Sequence, residues 1–125
     1  MKIHHIGYVV KSIEEAAAAL PGLRFVERVF DPVQQAELAL YALDNVHVEF
    51  ICPAGEQSFT WRFLDKNGGG YHHLCYEAPD LETAQRLMRE HRMVKVLGPV
   101  PALLFGGRQV LFAYSRNKDI VEFLL

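Results

Sequence analysis

An internal duplication constrains this chain more than any other feature. Residues 4–20, HHIGYVVKSIEEAAAAL, align without a gap with residues 72–88, HHLCYEAPDLETAQRLM, with identities at His4/His72, His5/His73, Tyr8/Tyr76, Glu14/Glu82 and Ala16/Ala84. A repeat of this kind dictates the architecture before any local reading does. The chain has 125 residues, half of them hydrophobic. Two half-size units of that length share one core within a single domain and do not fold separately.

Each half spells the same order of elements. KIHHIGYVV, rich in branched and aromatic residues, predicts a strand. SIEEAAAAL predicts a helix with Ser12 as N-cap and Glu15 completing a capping box, stopped by Pro21-Gly22. LRFVERVF, AELALYAL and VHVEFICP then read as strands, parted by turn signals at Asp31-Pro32 and Asp44-Asn45. The second half gives a strand over 71–78, a helix opened by Asp80 in DLETAQRLMREH, and strands at MVKVLG, RQVLFAYS and DIVEFLL. Between the halves QSFTWRFLDKN predicts an extra helix ended by Gly68-Gly69-Gly70. The expectation is one α+β domain over 1–125, with a βαβββ module over about 1–53, an inserted helix over about 56–67 and a second βαβββ module over about 70–125.

The strand ends carry the chemistry. HVEFIC at 47–52 and IVEFLL at 120–125 close the two halves and share Val-Glu-Phe, so Glu49 and Glu122 are related by the duplication that relates His5 to His73. The offset is 68 residues for the histidines and 73 for the glutamates, an excess that the segment GPVPALLFGG can absorb. Strand alternation sets His5, Gly7 and Val9 against Ile6, Tyr8 and Val10, and His73 and Cys75 against Leu74 and Tyr76. It likewise turns Glu49 away from Val48 and Phe50, and Glu122 away from Val121 and Phe123. The bulky set is expected against the helices, leaving His5 on a face thinned by Gly7 with room for a ligand. A carboxylate among apolar neighbours is costly to bury unless it is paired or bound to a cation. Two of them, with two imidazoles, make a candidate metal site on one concave face. His4 and His72 have the opposite parity and are expected to be structural, bonded to nearby backbone.

Several function classes are excluded by composition. The net charge is -2, and the lysines and arginines are interspersed with acids, which leaves no footprint for nucleic acid. No run approaches the ~18 apolar residues of a membrane span, and Met1 to Val10 lacks a signal-peptide pattern, so a soluble, cytoplasmic chain is expected. Cys52 and Cys75 lie outside any Cys-x-x-Cys pair and are expected to be reduced. Gly68-Gly69-Gly70 and Gly106-Gly107 read as turns or lids, since no Gly-Lys-Ser/Thr follows either. Arg108 reads as a solvated loop arginine, and Phe59, Trp61 and Phe63 as core or interface residues.

In order and spacing, HHIGYVVKSIEEA, VEFICP, FLDKNGGGYHHLCYEAPDLE and GGRQVLFAYSRNKDIVEFLL resemble the vicinal oxygen chelate superfamily, the group of glyoxalase I, methylmalonyl-CoA epimerase, dioxygenases and bleomycin-resistance proteins. The resemblance covers nearly the whole chain. It implies an eight-stranded, cup-shaped open barrel with His5, Glu49, His73 and Glu122 as metal ligands. Such an N/O donor set suits Ni, Co, Zn or Mn. The reaction implied is proton abstraction next to a carbonyl, with Glu122 as base and Glu49 as its partner on the other face of the substrate. The first reading is a glyoxalase I-like lyase or isomerase acting on a small thiol adduct or thioester. The alternatives are a methylmalonyl-CoA epimerase-like racemase and a non-catalytic binding protein of the drug-resistance type. Where lactoylglutathione lyases carry an arginine this chain has Val9, and where epimerases place a second catalytic glutamate, before the third strand, DPVQQAEL offers Val33 or Gln34. Epimerisation would then use Glu49 or Glu37 as the second carboxylate. The expected partners are a small-molecule substrate and a second copy of the chain as a homodimer.

Overall fold

A computed structural model describes residues 1–125. The chain runs β1 (Ile3–Val9), α1 (Ile13–Ala19), β2 (Arg24–Asp31), β3 (Ala36–Ala42), β4 (His47–Pro53), α2 (Trp61–Asn67), β5 (Gly70–Glu77), α3 (Leu81–Glu90), β6 (Val94–Pro101), a single 3-10 turn (Leu103–Phe105), β7 (Gln109–Tyr114) and β8 (Ile120–Leu124). All eight strands join one sheet in the order β2-β3-β4-β1-β5-β8-β7-β6. Within each module the first strand runs parallel to the last, β1 with β4 and β5 with β8. The modules meet through the antiparallel pair β1 and β5. The sheet is a curled half-barrel, with the 3-10 turn before β7 reaching across to β2 and β3.

Local sequence accounts for the helix starts. The Ser12 hydroxyl accepts the Glu15 N–H at 3.2 Å, and Asp80 Oδ1 accepts the Thr83 N–H at 2.7 Å, each satisfying an orphan donor of the first turn. The capping box expected at α1 is only half made: the Glu15 carboxylate does not reach back to the Ser12 N–H, and the Ser12 hydroxyl donates to Glu14 Oε2 at 3.3 Å. The inserted helix begins at Trp61, later than its sequence suggests. Ser58 donates to the Gln34 carbonyl at 2.8 Å, and its hydroxyl accepts from the Thr60 N–H at 3.4 Å, which holds the preceding residues in turns. Gly68, at φ 71°, ends α2 in the left-handed conformation that a side chain would disfavour.

The two faces of the sheet hold separate cores. On the outer face α1 covers Ala39, Val48 and Phe50 with Ile13, and α3 covers Leu111, Val121 and Phe123 with Ala84. On the concave face Val9, Ala36, Leu38, Leu40, Ile51 and Leu104 form one cluster, and Cys75, Ala102, Val110, Phe112 and Leu124 another. Val48 and Phe50 therefore anchor β4 outward as Val121 and Phe123 anchor β8, which turns Glu49 and Glu122 inward as alternation predicts. The additional residues of the second module lie in a β6 extended to Pro101 and in the 3-10 turn.

Candidate metal centre

Two rows across the paired strands build the site. In one, Glu49 of β4 pairs with Gly7 of β1, which pairs with His73 of β5. In the other, Glu122 of β8 pairs with Cys75 of β5, which pairs with His5 of β1. Each row is thus a carboxylate, a small residue and an imidazole, and the duplication relates one to the other. The small central residue lets its neighbours lean together. A Cβ at Gly7 would stand 2.6 Å from His73 Nε2 and nearer still to Cε1 and Nδ1, so the space beside Gly7 is filled by the His73 ring. The ligand space expected there from sequence is occupied by a protein side chain.

The four side chains converge. His5 Nε2 lies 3.1 Å from His73 Nε2. Glu122 Oε2 lies 2.8 Å from His73 Nε2 and 3.2 Å from His5 Nε2, and Glu49 Oε1 lies 3.7 and 3.6 Å from the same two atoms. Ligands about 2.1 Å from one ion stand about 3.0–3.4 Å from one another at the angles of common coordination polyhedra. The donor types suit a single divalent cation, and the spacings of 2.8–3.7 Å bracket that range, with all four groups supplied by one chain. They are 0–2 % exposed.

Electrostatics separate the two acids. Burial, reinforced by the charge of Glu122, raises Glu49 to about 8. Burial pushes Glu122 upward as well, but the charge of His5 and hydrogen bonds from His5 and His73 outweigh it and hold Glu122 well below the usual carboxylate range. The two acids are thus pushed in opposite directions, as two carboxylates buried in one site require.

His4 and His72 depart from strict alternation. The register of β1 against β5 slips at two places, between Ile3 and His5 and between Gly7 and Tyr8, leaving His4 and then His72 as the unpaired extra residue. Each is a β-bulge, which breaks the period-two alternation and re-aims its side chain. As a result His4 Nδ1 lies 2.9 Å from His5 Nδ1, and His72 Nδ1 lies 2.9 Å from His73 Nδ1. The backbone bonds expected of these two residues are replaced by ring-to-ring contacts with the candidate ligands. Burial and the adjacent ring lower His4 to about 4 and His72 to about 3. The signal in the sequence was the doubled histidine itself, present in both halves; the bulge that gives it meaning is invisible to a period-two reading.

The cup is roofed. Phe105 stacks on His5 with centroids 5.1 Å apart and planes 19° from parallel, while Phe59 and Phe63 meet His72 edge-on. Other sequence candidates fall elsewhere. Glu37 lies with Arg28, at 3.3 Å, and is not in the cup. Val33 is exposed, and the buried carboxylate of that turn is Asp31, whose Oδ1 accepts the N–H groups of Val33 and Gln34. Arg108 is an exposed loop residue, as expected; it donates to the Leu125 carbonyl at 3.1 Å and pairs with Glu77 at 3.4 Å. Cys52 and Cys75 are free thiols. A groove of about 290 Å³ under α3, lined by Met1, Tyr76, Leu87, Met93 and Phe123 among others, touches none of the four converging residues. No helix is long and apolar enough to cross a membrane.

Comparison with known proteins agrees with the fold. Residues 4–112 match the model of the glyoxalase/bleomycin resistance protein/dioxygenase superfamily. The chain is 29% identical to the mitochondrial methylmalonyl-CoA epimerase of Dictyostelium discoideum over 97% of its own length and 76% of that protein. It is 31% identical to the ethylmalonyl-CoA/methylmalonyl-CoA epimerase of Cereibacter sphaeroides, over 93% of its length and 90% of the relative. Among solved structures, a hypothetical protein of Bacillus halodurans superposes with a TM-score of 0.85 at 26% identity, covering 98% of this chain and 92% of the other. The chain is a member of the glyoxalase/bleomycin resistance protein/dioxygenase superfamily.

Proposed function

We propose that this protein is a metal-dependent epimerase of acyl thioesters, with His5, Glu49, His73 and Glu122 holding the ion. The observation that carries the reading is the convergence of two imidazoles and two carboxylates in a buried cup. The named relatives favour the epimerase over the glyoxalase I-like lyase, with which the chain shares the superfamily. A bound Ni, Co, Zn or Mn ion would polarise the thioester carbonyl and stabilise the negative charge left when the adjacent carbon loses its proton.

The remaining work falls to the chain's own residues. Epimerisation removes a proton from one face of a carbon and returns one to the other, so it needs two proton carriers. Glu122 and Glu49 enter the cup from β8 and β4, on the two sides of the histidine pair. Glu122 starts ionised and takes the proton, while Glu49, which sits farther from the imidazoles at 3.6–3.7 Å, starts with a proton on its outer carboxyl oxygen and delivers it from the opposite side; the turnover leaves Glu122 protonated and Glu49 ionised, the state that serves the other enantiomer. For the other enantiomer the roles exchange. Leu38, Leu40 and Phe112 line the cup and exclude water, which strengthens every charge interaction inside it.

The test is deuterium exchange at the acidic carbon of methylmalonyl-CoA and ethylmalonyl-CoA in heavy water, followed by NMR, with the protein loaded in turn with each of the four metals. Metal-dependent exchange with racemisation is expected. Turnover of a methylglyoxal–thiol adduct without acyl-CoA exchange would restore the lyase reading, and metal binding without either reaction would make the protein a binding module.

A further inference from the structure

We propose that His4 and His72 are positioning residues, each accepting the Nδ1–H of the neighbouring candidate ligand and so fixing the tautomer that leaves Nε2 of His5 and His73 as lone pairs aimed at the centre. The proposal rests on the metal reading above. Its geometry is independent of it.

A neutral imidazole carries one proton, and which nitrogen bears it is set by the bond that the other ring atoms make. In both His5 and His73 it is Nε2 that faces the carboxylates, while Nδ1 faces a second imidazole at 2.9 Å. If Nε2 is to bind a cation, the proton sits on Nδ1 and the partner must accept it. That partner is a histidine in both modules, placed by a bulge in both modules. The acceptor rings are themselves held. His4 stacks on His47 with centroids 5.3 Å apart and meets Phe105 edge-on at 5.2 Å; His72 is wedged edge-on against Phe63 at 5.0 Å and Phe59 at 6.0 Å. Alternation without the bulges would send both residues to the other face, where the helices pack. Two bulges at equivalent positions, each costing a ladder pairing, serve one arrangement: histidine behind histidine, twice. Partners that orient a metal ligand in this way typically govern 10–100-fold in metal affinity, as a rough scale.

The experiment uses zinc, which is diamagnetic, and the intact chain. In the zinc-loaded wild type, two-dimensional ¹H–¹⁵N spectra of the imidazoles should show His5 and His73 protonated at Nδ1. Substituting His72→Phe keeps the aromatic packing against Phe59 and Phe63 but removes the acceptor, and should weaken zinc binding about 10–100-fold in a chelator competition. His72→Asn, whose side-chain oxygen can occupy the Nδ1 position, should recover most of that loss. His4→Leu and His4→Asn make the same pair in the other module. Protonation at Nε2 in the wild-type spectrum would overturn the proposal whether or not any variant folds. So would folded Phe and Leu variants that bind zinc as tightly as wild type. A wild type that takes up no zinc would overturn the metal reading and this proposal with it, a result distinct from zinc bound through the wrong nitrogen.

Discussion

The imidazole of His73 lies directly over Gly7, the residue that separates it from Glu49 in the row of paired strands. A methyl group at position 7 would overlap that ring, and the ring is fully buried with Phe112 against it at 5.5 Å, so it has nowhere to retreat. Gly7→Ala should therefore cost about 1–3 kcal/mol of stability through overpacking. It should also displace His73 and weaken metal binding, although residue 7 offers no ligand atom. Chemical denaturation together with metal titration measures both effects; an unchanged metal affinity in the folded variant would show that the ring can move aside at no cost.

Removal of either imidazole tests the centre itself. His5→Ala and His73→Ala should bring bound metal from one equivalent to none after reconstitution and dialysis. The fold should survive, because the clusters under α1 and α3 contain neither residue. Metal analysis beside far-ultraviolet circular dichroism separates the two outcomes, and a variant that still holds a full equivalent of metal would remove its histidine from the ligand set.

The outer core offers a control that leaves the site alone. Phe50 is buried against Ile13, Ala39 and Val48 under α1, facing away from the cup. Phe50→Ala should cost about 3–5 kcal/mol, the range for deleting a buried aromatic ring. The metal content of the protein that remains folded should be that of wild type. A denaturant midpoint unchanged from wild type would mean that α1 collapses onto the gap.

Much of this was legible in the chain, and the reasons are specific. The repeat carried the fold, because two βαβββ units with matching ends can share a sheet in few ways. Val-Glu-Phe at 48–50 and 121–123 carried the inward turn of both glutamates, because strand alternation holds wherever the ladder is regular. It failed at His4 and His72 because a bulge inserts one residue, and a pattern of period two then predicts the wrong face. It failed again at Gly7, where a missing side chain was read as space for a ligand. Long-range packing fills that space with His73, and no local pattern encodes it. The roof was beyond reach for the same reason: Phe105 meets His5 across a sequence separation that only the curl of the sheet closes.

That roof makes its own prediction. Phe105 covers His5, and Leu104 beside it is buried in the concave cluster with Val9 and Leu38. Phe105→Ala should open a path to the centre and speed metal loss to an external chelator, with the equilibrium ligand set intact. Stopped-flow release into a coloured chelator reads the rate directly. A release rate equal to that of wild type would place the path of exchange elsewhere.

The carboxylates differ in how they are held, and that difference can be read in their amide variants. Glu122 Oε2 contacts both imidazoles at 2.8 and 3.2 Å, whereas Glu49 Oε1 stands off at 3.6 and 3.7 Å. An amide oxygen still coordinates but is a very poor base. Glu122→Gln should thus keep a measurable metal affinity while losing roughly 10²–10⁴ in turnover, the usual scale of general acid–base catalysis. Its loss of metal affinity should exceed that of Glu49→Gln, because Glu122 is the carboxylate in closer contact with both imidazoles. If the carboxylates serve opposite faces, each amide variant should stall exchange from one enantiomer of the substrate and spare the first proton removal from the other. Separate exchange measurements on the two enantiomers of methylmalonyl-CoA decide it. Equal loss for both enantiomers in Glu122→Gln, with none in Glu49→Gln, would assign all proton traffic to Glu122 and end the two-carboxylate mechanism.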